Sequence, residues 1–246
     1  MQVHGLGTLL NMATVAVGAT VGVLLGARLP ERMRVTVMQG LGLFTIFLGV
    51  REATSTHDAL LLLGALLVGG VFGEALRLED RLAAAGAFIE RRSGRAPDPD
   101  VPELTSGDGE PGHSTFVQGF LVSSLVFCVG PLTILGSLQD GLRGDIDLLA
   151  TKSALDGFAA LAFASALGWG VLASVATVAV VQGGITAGAT LLDGILTDRM
   201  VDEMSAVGGL LLVGIGLRLL AIAEIRVASF LPGIVLAPVL VAVFAS

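Results

Sequence analysis

A lysine and an aspartate four residues apart are the strongest candidates for chemistry in this chain of 246 residues. Lys152 and Asp156 share one face of a predicted helix, because side chains at i and i+4 are neighbours. Lys152 is the only lysine, whereas every other basic residue is an arginine. A desolvated ammonium can lose its proton, which a guanidinium does not do in practice. The pair could bind an anion or another ion, or relay protons; the alternative is an interfacial pair whose lysine extends outward to water.

A Gly-Pro pair in the preceding apolar run is the second candidate. Pro131 removes a backbone N–H, so a helix through this run should kink or break after Gly130 and free carbonyl groups near Cys128. Such carbonyls, with Ser123 and Ser124 one turn earlier, can line a binding site. The alternative is a packing kink in which neighbouring hydroxyl groups satisfy the carbonyls.

Other polar residues lie singly in apolar stretches, where an unpaired polar group costs free energy. Asn11 aligns with Ser174 when the two ends of the chain are compared, which favours a buried position that lines a site. Asp140 lies in an acidic segment, where we expect turn geometry rather than an entrance that gathers cations. The remaining isolated polar residues are Gln39, Glu74, Gln118 and Gln182.

The composition excludes several classes of protein. Hydrophobic residues make up 54% of the chain and charged residues 14%, with a mean hydropathy of +0.87, as expected of a membrane protein. A net charge of −7 without a basic stripe argues against binding to nucleic acid, and a single cysteine excludes an internal disulfide. The chain has no nucleophile elbow, phosphate-binding loop or zinc motif, so we expect no enzyme activity, no metal and no cofactor.

The elements that must position these residues are membrane-spanning helices in contact with the lipid bilayer. A helix needs about 20 residues to cross ~30 Å of hydrocarbon, and eight stretches reach that length alone or with charged side chains extending outward. The first stretch lacks the basic start of a cleaved signal peptide, so we expect it to be retained. The predicted spans are Gly5–Ala27, Val35–Val50, Ala59–Gly73, Ser114–Gln139, Asp147–Leu167, Val171–Leu191, Met204–Ala223 and Val227–Ser246.

The arginine positions predict the orientation of the spans. With the N-terminus outside, most basic residues fall on the inner side, as the positive-inside rule requires. Between the third and fourth spans, residues 78–92 are predicted to form an amphipathic helix on the inner membrane surface. Residues 93–114, which are rich in proline, glycine and acidic side chains, are predicted to form a disordered cytoplasmic linker.

The two ends of the chain resemble each other. Leu9–Val17 matches Leu172–Val180, and Glu31–Arg51 matches Asp198–Arg218 without a gap. The matched spans cross in opposite directions, so the copies are inverted, a construction that recurs in secondary transporters and also occurs in channels. The identical positions of the second match include Arg32/Arg199, Met33/Met200, Gly42/Gly209, Leu43/Leu210, Gly49/Gly216 and Arg51/Arg218.

These patterns predict a fold and a function. The fold is an all-α membrane bundle of about eight spans, in which residues 1–77 and 169–246 form inverted three-helix repeats around two central helices in residues 115–168. A small-residue ridge from Ser153 to Gly168 places the second central helix in the middle of the bundle or at the seam of a homodimer. The predicted function is a transporter or permease for a small solute or ion that works by alternating access. The alternative is a membrane scaffold or regulatory protein that transports nothing.

Five stretches carry a resemblance to a known family: GTLLNMATVAVG, FVQGFLVSSLVFCVGPLTILGSLQDGLRGD, TKSALDGFAALAFASALGWGV, DEMSAVGGLLLVGIGLRLL and SFLPG. They are similar to the bacterial inner-membrane proteins grouped as domain-of-unknown-function family 554, over nearly the whole chain apart from residues 93–113. The resemblance implies a multi-pass protein of the bacterial plasma (inner) membrane, often described as a transporter without an established substrate. Its motifs include Gln139 and overlap the candidates chosen above, but it assigns no binding residues. The predicted site for a solute or ion comprises Asn11, Ser123, Ser124, Cys128, Gly130, Pro131, Gln139, Asp140, Lys152, Ser153 and Asp156.

Overall fold

The computed structural model describes residues 4–92, 114–192 and 194–244, with the backbone but not the side chain of Glu31. Within these ranges all regular structure is helical. The predicted linker lies outside the described residues except for Ser114. The α-helices are α1 (Leu6–Gly26), α2 (Glu31–Ala53), α3 (Ala59–Ala75), α4 (Leu78–Arg92), α5 (Thr115–Cys128), α6 (Pro131–Arg143), α7 (Asp147–Leu167), α8 (Gly170–Ala187), α9 (Ala189–Leu192), α10 (Asp198–Leu219) and α11 (Leu231–Phe244), with a 3₁₀ turn at Val227–Phe230 before α11.

The helices are those of a multi-pass membrane protein. Five are long and apolar enough to cross a membrane, and there are seven spans if each of two bent helix pairs forms one span. The bent pairs are α3 with α4, at 59°, and α5 with α6, at 62°. Helix α7 is as long as α1, at 21 residues, but Lys152 and Asp156 make it less apolar than the five spans. The predicted count of eight spans therefore stays a prediction.

A glycine and a proline break the helix between α5 and α6, which confirms the predicted break. Gly130 has φ 134° and ψ 156°, a region essentially restricted to glycine. Pro131 is the first residue of α6, where its missing N–H would have no helical partner. The Phe127 carbonyl accepts a hydrogen bond from the Thr133 hydroxyl at 3.3 Å, so this carbonyl is satisfied within the chain.

Three glycines of α1 allow this helix to approach α7 closely. Gly18, Gly22 and Gly26 recur every four residues, and a Cβ atom at each position would overlap a carbonyl oxygen of α7. The contacts advance in the same direction along both helices, so α1 and α7 run parallel. The small-residue ridge of α7 is thus covered by α1 of the same chain. Of the two predicted places for this ridge, the middle of the bundle and the seam of a homodimer, this contact corresponds to the first. The three carbonyls belong to Gly157, Leu161 and Ser165.

Glycines also form the seam between α2 and α10. Gly42 lies against Gly216, and Gly49 lies against Gly209, so these two helices run antiparallel. Helix α1 is likewise antiparallel to α8, and α3 is antiparallel to α11. Helices α1, α2 and α3 of the first predicted repeat correspond to α8, α10 and α11 of the second. Each of the three therefore packs against its own counterpart.

Residues 78–92 form α4, which confirms the predicted helix. The helix packs on α5 and on the 3₁₀ turn, so it is joined to the bundle. Its position on a membrane surface stays a prediction. The buried residues of α4 are Glu79, Ala83 and Gly86, whereas Leu78, Leu82 and Ile89 are half-buried and Ala85 is exposed.

Buried carboxylates hold α3 at both ends of the bundle. At the end where α1 begins, Glu203 of α10 accepts three hydrogen bonds, at 2.7, 2.7 and 3.1 Å, from the loop of residues 56–58. At the opposite end, Glu79 accepts bonds from Arg218 and from the Ala228 amide, each at 2.8 Å. A carboxylate buried in this way needs such donors to offset its desolvation.

The close approach of α1 and α7 predicts different outcomes for the same substitution at two glycines. Gly22→Ala should destabilise the protein by about 1–3 kcal/mol, the usual cost of overpacking, because its Cβ would overlap the Leu161 carbonyl. Gly40→Ala is the control: no atom lies within 4 Å of its Cβ, and the change should be neutral or stabilise by up to ~1 kcal/mol. Thermal unfolding of the purified protein in detergent measures both. Equal melting temperatures for the two variants would contradict the packing described.

Candidate functional site

A buried polar network joins α1, α7 and α8. Lys152 and Asp156 of α7 form an ion pair between the lysine Nζ and the aspartate Oδ2. The same Oδ2 accepts a hydrogen bond from Asn11 Nδ2 at 2.9 Å. Asn11 Nδ2 also donates to Gln182 Oε1 at 2.9 Å. None of the four residues is more than 8% exposed, so the network is shielded from water and from lipid.

The helices bring the four residues together at one depth of the bundle. Lys152 and Asp156 lie one turn apart on α7, and the parallel packing of α1 places Asn11 beside them. Because α8 is antiparallel to α1, Gln182 near its end meets Asn11 near the start of α1. At about 1.5 Å per residue, Asn11 and Asp156 lie roughly 8 and 14 Å along their helices. The network therefore lies inside these helices and not at their ends.

Two atoms of this network have no hydrogen-bond partner within the described part of the chain. They are Asn11 Oδ1 and Gln182 Nε2, and both are buried. The orientation of Asn11 follows from its neighbour, because an ionised carboxylate only accepts and must face the amide N–H groups. A buried polar atom without a partner costs about 1–3 kcal/mol, so these two atoms are the unsatisfied hydrogen-bonding positions of the network.

Cys128 adjoins the break between α5 and α6. It is the last residue of α5 and is half-buried, and Val129 separates it from Gly130. The ring of Phe127, the residue before it, packs edge-on against Phe163 of α7. The broken helix therefore contacts the helix that carries the charged pair.

Four other predicted site residues lie outside the network. Ser123 and Ser153 each donate, at 2.6 Å, to a carbonyl one turn back in their own helix. Ser124 bonds to the Thr177 hydroxyl of α8 at 2.9 Å. Gln139 is half-buried on α6, and within the described ranges no hydrogen bond joins it to the network. Ser153 also lines an apolar groove along the seam between α1 and α7. Lys152 and Asp156 do not line this groove.

Asp140 anchors the start of α1. It is fully buried, and its two carboxylate oxygens accept from the backbone amides of Gly5, at 3.0 Å, and Gly7, at 3.1 Å. A carboxylate at a helix N-terminus satisfies free amides and interacts favourably with the helix dipole. Helix α6 continues past the predicted end of its span and stops where Gly144 adopts a left-handed conformation. Asp140 therefore has a fixed position in the bundle and does not lie in an exposed acidic turn.

Gln182 is the member of the network that sequence reasoning left out of the predicted site. From the sequence it is only an isolated polar residue of an apolar stretch. The signal that could have placed it is its spacing from Ser174, because residues eight apart lie on the same helix face. Ser174, Val178 and Gln182 all belong to the buried face of α8.

The comparisons with known proteins agree on one family. The chain matches, over residues 6–242, the family described as "Protein of unknown function (DUF554)". It is 31% identical over 232 residues to the uncharacterized protein YqgA of Escherichia coli (strain K12), with 94% of each chain covered. It is 25% identical over 239 residues to the uncharacterized membrane protein YdfK of Bacillus subtilis (strain 168), with 96% of this chain and 95% of the relative covered. No solved structure matches.

The burial of the charged pair predicts a non-additive effect on stability. Lys152→Met should destabilise the protein by about 3–5 kcal/mol, because Asp156 keeps a buried charge without its partner. The double variant Lys152→Met/Asp156→Leu removes both charges and should regain most of that loss. Arg51→Met is the control, since this exposed arginine pairs with Glu52 at the surface and should lose no more than about 1 kcal/mol. Thermal unfolding in detergent measures all three; a Lys152→Met variant as stable as the control would show that the pair is not buried as described.

Proposed function

Because this chain belongs to the DUF554 family, whose description assigns no function, we propose from its own geometry that it is a secondary transporter or permease. It moves a small solute or ion across the bacterial plasma membrane by alternating access. The binding site is the network of Asn11, Lys152, Asp156 and Gln182. The observation that carries the proposal is that this buried network has an ion pair and two unpartnered amide atoms inside the spans. Ionisable residues at such depth are expensive and mark solute or ion pathways.

The contacts between α2 and α10 support an inverted repeat. In the sequence alignment, Gly42 corresponds to Gly209 and Gly49 corresponds to Gly216. Two-fold symmetry requires that contacts come in exchanged pairs: if Gly42 meets the counterpart of Gly49, then Gly49 must meet the counterpart of Gly42. The close contacts between the two helices are Gly42 with Gly216 and Gly49 with Gly209. This exchange is the relation expected of two inverted copies.

The neighbours of α1 and α8 support the same arrangement. Helix α1 packs in parallel on α7. Helix α8, which corresponds to α1 in the sequence, packs in parallel on α5: Gly170 lies against the Phe116 carbonyl, and Thr177 lies against Ser124. The bent pair α5–α6 and the continuous helix α7 are then the two central spans, and the total is eight. Two halves related in this way can exchange conformations and open a central site to each side in turn.

The charge distribution supports an outside N-terminus. Arg28, Arg34, Arg77, Arg218 and Arg226 all lie at the end of the bundle where α1 ends. This end then faces the cytoplasm under the positive-inside rule. The site lies nearer the opposite, outer end. The break at Gly130 and Pro131 gives the central region one point at which the backbone is not held by helical hydrogen bonds.

A transport measurement tests the function and the site together. Purified protein in proteoliposomes is incubated with a metabolite extract, and the internal solutes are compared with those of empty vesicles by mass spectrometry. The wild-type protein should change the internal level of at least one solute. Lys152→Ala and Asp156→Asn should each lower that flux by about tenfold or more, because each change removes one ionisable member of the pair on which the proposed transport cycle depends.

The controls for this measurement carry the same kinds of change outside the site. Arg51→Ala and Asp202→Asn alter exposed charges at the outer end and should transport like the wild type. A wild-type protein that changes no solute level would favour the scaffold or regulatory alternative. Unchanged flux in both site variants would move the site elsewhere.

Cys128 provides an independent test of alternating access. As the only cysteine, it can be labelled in the otherwise unaltered chain with a membrane-impermeant maleimide. Alternating access predicts labelling in right-side-out and in inverted vesicles, because the region beside Lys152 opens to each side in turn. The control is Cys128→Ser/Ala206→Cys, whose cysteine lies at a fully buried position of α10 and should not be labelled from either side. Labelling of Cys128 from one side only would contradict the mechanism.

A further inference from the structure

We propose that the network is a proton-linked anion site: Asp156 takes up one proton, and this releases Lys152 and Asn11 to bind a small monocarboxylate. The proposal rests on the proposed function for its place in transport. Its binding step depends only on the hydrogen bonds of the site. It names the class of ligand and the coupling ion, which the proposed function leaves open.

The first step of the argument concerns what Asp156 holds in the state shown. Its Oδ2 atom receives both Lys152 Nζ and Asn11 Nδ2. These are the only charged donor and the only amide donor directed at the carboxylate among the described residues. While Asp156 is ionised, both donors bond to it and its negative charge neutralises Lys152, so an external anion finds no uncompensated positive charge.

The second step concerns the two unpartnered atoms. When Asp156 is protonated, its hydroxyl becomes a donor while its other oxygen still accepts, so a neighbour that presents an acceptor can pair with the new donor. Rotation of the Asn11 amide by 180° brings Oδ1 to face Asp156. Gln182 then has to turn its Nε2 toward that oxygen, because two carbonyl oxygens cannot bond each other. The atoms that this second arrangement uses are Asn11 Oδ1 and Gln182 Nε2, the same two that lack a partner in the state shown.

The third step concerns the charge that the ligand must carry. After the rotation, Asn11 Nδ2 and Lys152 Nζ no longer face a carboxylate, so one cation and one amide donor are free together. A monocarboxylate accepts from both and supplies one negative charge to the ammonium. The site is neutral before binding, with Lys152 positive and Asp156 negative, and neutral afterwards, with Lys152 positive and the ligand negative. A buried site with an uncompensated charge would cost several kcal/mol, so neither the proton nor the anion binds well alone.

The surroundings of Asp156 contain few other titratable groups that could take its part. Helix α1 contributes Asn11, α8 contributes Gln182, and α5 contributes the Cys128 thiol. Lys152 is the charged neighbour on α7 itself. The lysine, which is paired with Asp156, balances the charge of the carboxylate.

The cycle balances in atoms and charge. A proton from the water on one side binds the Asp156 carboxylate, and the anion pairs with the Lys152 ammonium. After the site opens to the other side, the anion leaves, the carboxyl group releases its proton to water, and the Lys152–Asp156 ion pair forms again. One negative and one positive charge cross together, so net transport is electroneutral.

The test measures binding and proton uptake in detergent, without transport. Sodium L-lactate is added to the purified protein in weak buffer with a pH-indicator dye, and lactate binding is followed by protection of Cys128 from a maleimide. Close to one proton should be taken up per lactate bound, and the affinity should fall about tenfold per pH unit once Asp156 is ionised. Glycerol and choline chloride should neither protect Cys128 nor change the dye, and sodium phosphate serves as a second oxyanion.

The variants separate the roles of the residues. Lys152→Met should abolish lactate binding. Asp156→Asn should bind lactate about tenfold or more tightly at pH 7.5, because the amide imitates the protonated acid and no longer competes for the ammonium. Asp202→Asn, an exposed carboxylate outside the network, should behave like the wild type. These readouts differ from a loss of folding, since one variant gains affinity.

Several outcomes would overturn the inference. They are lactate binding without proton uptake, lactate binding that persists in Lys152→Met, no binding of lactate, and binding of phosphate but not lactate, which would replace the ligand class. Lactate binding with proton uptake but no flux in proteoliposomes would leave the anion site standing and reject transport. Flux of a neutral or cationic solute without lactate binding would reject the anion site and leave transport standing.

Discussion

The burial of a lysine–aspartate pair within the helix bundle is the constraint on which the rest of the structure depends. Removing two charges from water costs several kcal/mol per ion, and the attraction between them offsets this only when further hydrogen bonds complete the site. Asn11 supplies such a bond from α1, and Gln182 extends the network to α8. Asp140 fixes the start of α1 by accepting from the amides of Gly5 and Gly7. The packing of α1 against α7 is thus needed for the charges as much as for the apolar core.

Close glycine contacts hold two pairs of helices together, whereas a break interrupts the helix between α5 and α6. Along the α1–α7 and α2–α10 seams, the helix backbones touch where glycines leave room, and such contacts do not tolerate small shifts. Buried Glu203 and Glu79 hold both ends of α3. The break at Gly130 and Pro131 lies beside Cys128, close to the charged pair. Under the proposed function, the least restrained backbone of the central region is therefore adjacent to the binding site.

Features set by neighbouring residues could be predicted from the sequence, and contacts between distant segments could not. The Lys152–Asp156 pair follows from helix geometry, and the break follows from the chemistry of proline. Asn11 was predicted to be buried, yet its partner Gln182 lies 171 residues away, and the spacing of Gln182 from Ser174 indicates its helix face but not its partner. The same holds for Asp140, whose amide partners are more than 130 residues distant and whose acidic neighbours suggested an exposed turn. Hydropathy reports which residues leave water, but the pairing of helices depends on shape, which here is set by glycines of α1 and α2.

The network also breaks the symmetry that the glycine contacts support. Asn11 corresponds to Ser174 in the second repeat, and Ser174 donates to a carbonyl of its own helix. An inverted pair of repeats would otherwise build two equal half-sites, whereas the lysine–aspartate pair lies on α7 alone. The proposed site is nevertheless shared between the predicted repeats, because the Asn11–Gln182 bond joins α1 to α8. Under the proposed mechanism, a movement of one half against the other alters this bond, and so does protonation of Asp156. The two equilibria would then be linked: whichever arrangement of the halves favours the rotated amides also favours the bound proton, and the reverse holds to the same extent.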